Sequence, residues 1–353
     1  MSEFFSQKYK GLAPYVPGEQ PKEKKYIKLN TNESPFPPSP SAVACGCEAL
    51  KGVQLYSDPE CTALTNAVAN DLKVDFENVI MTNGSDEVLN FAFMAYCDSE
   101  NPAIFPDITY GFYKVFAQIN NVPYKEIPLK DDFSIDLSEY EQESGTIFIA
   151  NPNAPTGILL SLEQIEKLVS SNPKRIVVVD EAYIDFGGQS AVSLIKKYKN
   201  LLVTRTFSKS RSMAGARLGF GVADKAIIDD LKAVKYSLNP YNVNSVTASA
   251  GIGSIKDKEY FEDNCRAIIE NREWTKNELE KLGFTVTNSK ANFVFAKTDK
   301  ISGKNLYLRL KDSGILVRHF DKDKIKEYNR ITVGNIEQMQ AFINAVKSIL
   351  EDV

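Results

Sequence analysis

Thr204-Arg205-Thr206-Phe207-Ser208-Lys209-Ser210-Arg211-Ser212-Met213-Ala214-Gly215-Ala216-Arg217 follows directly on the apolar run Leu201-Leu202-Val203. That run is short, apolar and bounded, which reads as a buried strand, so Lys209 falls just beyond a strand's carboxyl end. In an open parallel α/β sheet, ligands collect at those ends. A lysine partly withdrawn from water there, with Arg217 nearby, is a candidate nucleophilic amine. Taken alone, a lysine is more often a solvated surface charge, and the case for Lys209 rests on the company it keeps.

Three other apolar runs end in residues suited to the same site. Val79-Ile80-Met81-Thr82 leads into Asn83-Gly84-Ser85-Asp86-Glu87. These small residues open a helix whose free N–H groups and dipole favour a phosphate, although Ser85 reads equally well as an ordinary N-cap. Thr146-Ile147-Phe148-Ile149-Ala150 leads into Asn151-Pro152-Asn153-Ala154-Pro155-Thr156-Gly157, a loop stiffened by prolines, or by itself a plain turn. Ile176-Val177-Val178-Val179 ends in Asp180-Glu181-Ala182-Tyr183. A carboxylate at the mouth of a central strand is costly unless it meets a cation, and a protonated pyridine nitrogen is such a cation. Four strand-end signals in one chain, in this order, outweigh the bland reading of each.

Phe220-Gly221-Val222-Ala223 adds a fifth strand, and helical spacing over Glu87 to Tyr96 and Leu162 to Ser170 predicts helices between strands. The alternation predicts an α/β fold, a mostly parallel sheet covered on both faces. Residues 1–40 are rich in proline, from Pro14 and Pro17 to Pro35, Pro37, Pro38 and Pro40, and read as an extended arm. The large domain is expected over 41–250. Over 251–353 the spacing predicts a smaller α+β domain: a helix from Asp257 to Lys281, strands at 292–296, 315–318 and 330–333, and a last helix ending near Leu350.

With 353 residues, 43% of them hydrophobic, the chain can bury a large core. A formal charge of -4 provides no basic field for nucleic acid or acidic lipid, which leaves a small molecule as the expected partner. The five cysteines (Cys45, Cys47, Cys61, Cys97, Cys265) include no Cys-x-x-Cys pair, so neither a disulfide framework nor a zinc ribbon is expected. One histidine, His319, supports neither a multi-imidazole metal site nor a metal of any other kind in this reading. The start Met1-Ser2-Glu3-Phe4-Phe5 lacks a basic stretch followed by an apolar run, so a cytoplasmic location is the expectation.

The chain resembles the fold-type I pyridoxal-phosphate (PLP) enzymes over almost its whole length, and within them it is most similar to the histidinol-phosphate aminotransferase family. The resemblance is carried by Leu12-Ala13-Pro14-Tyr15, Leu29-Asn30-Thr31-Asn32-Glu33, Tyr56-Ser57-Asp58-Pro59, Gly84-Ser85-Asp86-Glu87, Pro106-Asp107-Ile108-Thr109-Tyr110, Asp180-Glu181-Ala182-Tyr183, Ser208-Lys209 through Arg217, and Arg330-Ile331-Thr332-Val333-Gly334. It implies that Lys209 carries PLP as a Schiff base and then moves the substrate proton. It further implies that Asp180 pairs with the pyridinium nitrogen, that Tyr183 bonds the ring hydroxyl and that Tyr110 stacks on the ring. The cofactor phosphate falls to the backbone of Ser85 and Asp86, to Ser208 and Arg217, and to Tyr56 from a partner subunit, which implies a homodimer with a shared site.

The family loop has asparagine directly before Pro-Thr-Gly, where this chain has Ala154, and Asn153 is the nearest substitute. Tyr15, Arg318 and Arg330 are implied to grip an anionic substrate, since guanidinium forks suit carboxylates and phosphates alike. The implied reaction transfers an amino group between L-histidinol phosphate and 2-oxoglutarate, a step of histidine biosynthesis. An aromatic amino acid aminotransferase or a threonine-phosphate decarboxylase would share every cofactor residue. A non-enzymatic ligand-binding regulator would need a DNA-binding module, for which no spare helical domain or basic patch is found.

Overall fold

In the computed structural model, which describes residues 2–21 and 24–352, the thirteen strands form three sheets. A seven-stranded sheet holds β2 (Val79–Thr82), β3 (Ala103–Pro106), β4 (Tyr124–Ile127), β5 (Thr146–Ala150), β6 (Val177–Asp180), β7 (Leu201–Thr206) and β8 (Gly219–Ala223), in the order β2-β8-β7-β6-β5-β3-β4. Only β8 runs antiparallel to its neighbours, β2 and β7. The sheet is therefore mostly parallel, as the alternating pattern predicts.

Its inner strands carry apolar runs because both faces are covered. Alternate side chains enter two separate cores. Ile147, Ile149, Val177, Val179, Leu201 and Val203 pack on one face with Leu64, Ile165 and Leu168. Phe148, Val178 and Leu202 pack on the other with Val88, Phe91 and Leu231. The edge strand β4, Tyr-Lys-Glu-Ile, has no apolar run because two of its four residues are exposed, and so it carries no strand signal in the sequence.

The other sheets lie in the C-terminal part and the arm. A four-stranded sheet runs in the order β12 (Arg318–His319), β13 (Asn329–Thr332), β10 (Phe293–Lys297), β9 (Thr285–Val286). The strand predicted over 315–318 is in fact two. Ile315–Leu316, β11, leaves the four-stranded sheet and pairs in parallel with Ile27–Lys28, β1, of the arm, with Ile27 opposite Ile315. The break at Val317 lets one short segment serve two sheets.

Helices Lys258–Lys281 and Ile336–Glu351 cover this unit with a third core that includes Leu29 of the arm. The helix Ser245–Lys256 packs against Pro40–Ala49, and the turn between it and Lys258–Lys281 lies at Asp257. Among the described residues no helix is long and apolar enough to cross a membrane.

Candidate active site

The carboxyl ends of β2, β5, β6 and β7 open on a cleft with two connecting lobes, each of about 330 Å³. Thr31, Tyr110, Ala154, Tyr183 and Lys209 border both. The inner lobe is bounded by Ser85, Asp86, Asp180, Ser208 and Arg217. The outer lobe is bounded by Tyr15 of the arm and by Arg318, Lys322 and Arg330 of the C-terminal unit.

One rim of the inner lobe is the start of helix Ser85–Tyr96, whose first N–H groups have no carbonyl a turn earlier to bond. The cap residue is Gly84, at φ +79°, and Ser85 is the first helical residue, so the N-cap reading of Ser85 is corrected. A side chain at Gly84 would collide with the Arg217 guanidinium at 2.7 Å, and one at Gly219 would meet the Ser85 nitrogen at 2.3 Å. Two glycines thus let β8 and Arg217 close on the helix end. Arg217 pairs with Asp86 at 3.3 Å, and Asp86 also accepts the Tyr110 hydroxyl at 2.8 Å. Burial and the Asp86 carboxylate hold the Tyr110 phenol well above its ordinary range.

Asp180 lies deep at the end of β6, 5% exposed. Its carboxylate accepts from the Ala182 N–H at 3.2 Å and, at 3.3 Å, from the hydroxyls of Tyr113 and Thr204. Among the described residues no basic side chain pairs with it. Burial, aided by the Asp86 charge, pushes its pKa up to about 6. A buried carboxylate without its cation beside an open lobe is the signature of a site made for a cationic ring.

Its neighbour Glu181 points away from the cleft and bonds Ser190 and the Ala191 N–H, both at 2.6 Å. Burial pushes Glu181 to about 7 against the pull of Arg205. Lys209 sits opposite, its ammonium 5.8 Å from the centre of the Tyr183 ring and 3.3 Å from the Thr31 carbonyl. Ser208 is buried and accepts a hydrogen bond from Thr206 at 2.9 Å.

The outer lobe is rich in cations that lack carboxylates. Arg330 lies between the rings of Phe293 and Phe320, at 5.4 and 5.7 Å. It donates one bond, to the Asn30 carbonyl, and its Nε is sealed from solvent without a partner. Desolvation lowers its pKa despite that setting. Arg318 reaches only the carbonyls of Val16 and Pro17 in the arm. Lys322, exposed on the rim, reaches the Asp107 carbonyl at 3.0 Å. Tyr15 stacks on Phe112 at 4.3 Å and closes one side.

One of the residues expected at the site does not reach it. Asn153 borders neither lobe. Its carbonyl accepts from Thr109, and its amide donates to the Ile108 carbonyl and to Thr156. With both ends spent inside the protein it braces the loop that carries Tyr110, and Ala154 is what faces the cleft. The expectation that Asn153 substitutes for the family's asparagine is corrected on that ground. Tyr56 is 84% exposed, stacked on Tyr241, and away from the cleft of its own chain.

Asn32, Thr206 and Lys322 border the cleft although no sequence signal singled them out for a role. Asn32 lay within a quoted motif, and Lys322 lay in a charged loop that reads as solvated. Among the described residues no cluster of His, Cys, Asp and Glu is suited to a metal ion.

The family model of class I and II aminotransferases matches residues 24–346, so the chain belongs to that class. A protein of Brachyspira hyodysenteriae, 48% identical over 354 residues and covering all of both chains, is a histidinol-phosphate aminotransferase. So is one from Clostridium botulinum, 47% identical and covering 99% of each. The chain is accordingly a member of the histidinol-phosphate aminotransferase family. The solved structure of the Sinorhizobium meliloti enzyme of that name, in complex with pyridoxal-5'-phosphate, shares the fold with a TM-score of 0.90 at 22% identity, covering 100% of this chain and 99% of the other.

Proposed function

We propose that this protein uses PLP to transfer the amino group of L-histidinol phosphate to 2-oxoglutarate, giving imidazole acetol phosphate and L-glutamate in the biosynthesis of histidine. The observation that carries the reading is a buried carboxylate without a cation, Asp180, facing Lys209 across a lobe that opens onto three cations without carboxylates. The inner lobe fits the cofactor by charge and by shape. Asp180 would hold the ring nitrogen, Tyr183 the ring hydroxyl and Tyr110 the ring face. The N–H groups of Ser85 and Asp86, with Ser208 and Arg217, would hold the phosphate. Bound there, PLP supplies an electron sink for the carbanion left when the substrate Cα loses its proton.

The chain's own residues do the remainder. The Lys209 amine, one strand end from Asp180, would hold the cofactor and would serve as the base that takes the proton from the substrate Cα. Arg330, fixed between two phenyl rings, offers its fork to a carboxylate or phosphate. Arg318 and Lys322 add positive charge at the outer end, and Tyr15 narrows the opening to bulk water.

A homodimer belongs to the same proposal. Tyr56 is exposed beside Val43, Leu50, Val53 and Leu55, all more than half exposed, an apolar surface suited to a second copy whose cofactor phosphate Tyr56 would reach. In this reading the large domain spans 41–250 and the small domain 251–353, and the location is the cytoplasm.

Purified protein supplied with PLP, L-histidinol phosphate and 2-oxoglutarate is expected to form glutamate. No glutamate, together with good turnover of phenylalanine or release of carbon dioxide from threonine phosphate, would overturn the substrate assignment.

A further inference from the structure

Asn32 joins three parts of the chain at the edge of the cleft. It belongs to the arm, is 1% exposed, and sits at φ +57°, a left-handed conformation that asparagine tolerates better than most residues. Its backbone N–H donates to the Thr332 hydroxyl of β13 at 2.9 Å, and its backbone carbonyl accepts from the Asn292 amide at 3.0 Å. Its side-chain NH₂ donates to the Tyr183 hydroxyl at 3.0 Å.

Proton accounting fixes which way each group points. Thr332 has one hydroxyl proton. Its oxygen already accepts from the Asn32 backbone, and the proton goes to Asn32 Oδ1 at 3.0 Å. With Oδ1 thus engaged, the other end of the amide, Nδ2, faces Tyr183. Nδ2 can only donate, so the phenol oxygen must accept there. The phenol's own proton is then released toward the lobe that Tyr183 borders. A residue of the arm, oriented by the C-terminal unit, sets the direction of a hydrogen-bond donor on the large sheet.

We infer that Asn32 is a positioning residue, which turns the Tyr183 hydroxyl into a donor aimed into the cofactor lobe. The inference rests on the proposed function, in which Tyr183 meets the cofactor's ring hydroxyl. The Thr332 hydroxyl is the second part of the device, because without it the amide has no preferred end toward the phenol.

The test is a pH titration of the visible absorption of the holoenzyme in four variants. Asn32→Gly removes the amide while relieving the left-handed backbone. Asn32→Asp puts an acceptor where the donor stood and draws the phenol proton away from the lobe. Tyr183→Phe and the double variant Asn32→Gly with Tyr183→Phe complete a cycle.

Asn32→Gly is expected to move the midpoint in the same direction as Tyr183→Phe, by roughly half a pH unit, and Asn32→Asp is expected to move it further than Asn32→Gly. In the Tyr183→Phe background, Asn32→Gly is expected to add nothing. A wild-type midpoint in Asn32→Gly, or a shift that survives undiminished without the phenol, would overturn the inference and leave Asn32 a packing residue. Should both Asn32 variants fail to fold, Thr332→Val carries the same test with a smaller shift in the same direction, and no shift there overturns the inference. A Tyr183→Phe holoenzyme with the wild-type midpoint would overturn Tyr183's contact with the cofactor, and this inference with it. Wild-type protein that gains no visible band with PLP defeats the proposed function itself.

Discussion

The two lobes of the cleft are built in opposite ways. Apart from Thr31 and Glu33 of the arm, the inner lobe is made by the ends of one sheet, and its charges other than Lys209, which borders both lobes, are either paired, as Arg217 is with Asp86, or held deep in hydrogen bonds, as Asp180 is. The outer lobe is assembled from the arm, the large sheet and the C-terminal unit, and its cations hydrogen-bond only backbone carbonyls. A charge resting on a carbonyl gives up less when an anion arrives than one already in an ion pair. The inner lobe is thus suited to keeping one resident group, and the outer lobe to exchanging two anionic substrates in turn.

If that contrast holds, substitutions inside should disable the chemistry, and substitutions outside should weaken binding. Lys209→Ala is expected to have the largest effect, a loss of at least about 10³-fold in transamination with disappearance of the visible band of the bound cofactor. Absorbance and glutamate formation measure the two together, and survival of either would contradict the role of Lys209.

Asp180→Asn comes next, with a fall in kcat/KM of about 10²-fold or more, since a neutral amide cannot keep a ring nitrogen protonated. The same variant has an opposite effect on the cofactor-free fold. The Asp180 pKa is raised from 3.8 to about 6, so whatever favours its protonated form is fully present below about pH 4 and lost as pH rises through 6. The cofactor-free variant should therefore match the wild-type Tm near pH 4 and exceed it by roughly 3–4 °C above pH 7. A difference that shrinks with rising pH would show that Asp180 already has a cation.

In the outer lobe the effects should be graded by exposure. Arg330→Gln is expected to raise KM for the anionic substrates roughly 10- to 100-fold, because its guanidinium is half-buried and oriented by Phe293, Phe320 and the Asn30 carbonyl. Lys322→Gln, on the wet rim, should raise KM only about threefold and more at low salt than at high. Equal effects at the two positions would erase the distinction between a fixed fork and a steering charge.

The lobes also differ in how far the sequence betrays them. Most inner-lobe residues outside the arm follow within a few positions of a buried apolar run or a helix start, so Lys209, Asp180, Tyr183 and Ser85 are found by local pattern. The outer lobe depends on where distant segments meet. Nothing in Asn32 announces that Thr332 will hold it, and nothing in Lys322 separates it from the solvated lysines beside it. Asn153 failed for a related reason. A motif places an amide at a strand end but does not tell whether neighbours such as Ile108 and Thr109 consume its hydrogen bonds. The family motifs narrowed the gap for Arg318, Arg330 and Tyr15, which local chemistry alone would have left as surface charges and a loop aromatic.

The parallel pairing of β1 with β11, Ile27 against Ile315, has a consequence for the order of events on the ribosome. The arm is synthesised before the large sheet, yet among the described residues its strand partner is β11, nearly three hundred residues further along. During elongation the large sheet can fold as its strands emerge, while β1 waits for its partner strand. The cleft is closed on its outer side only when Arg318 to Arg330 have been made, so the nascent chain acquires its cofactor lobe well before its substrate lobe.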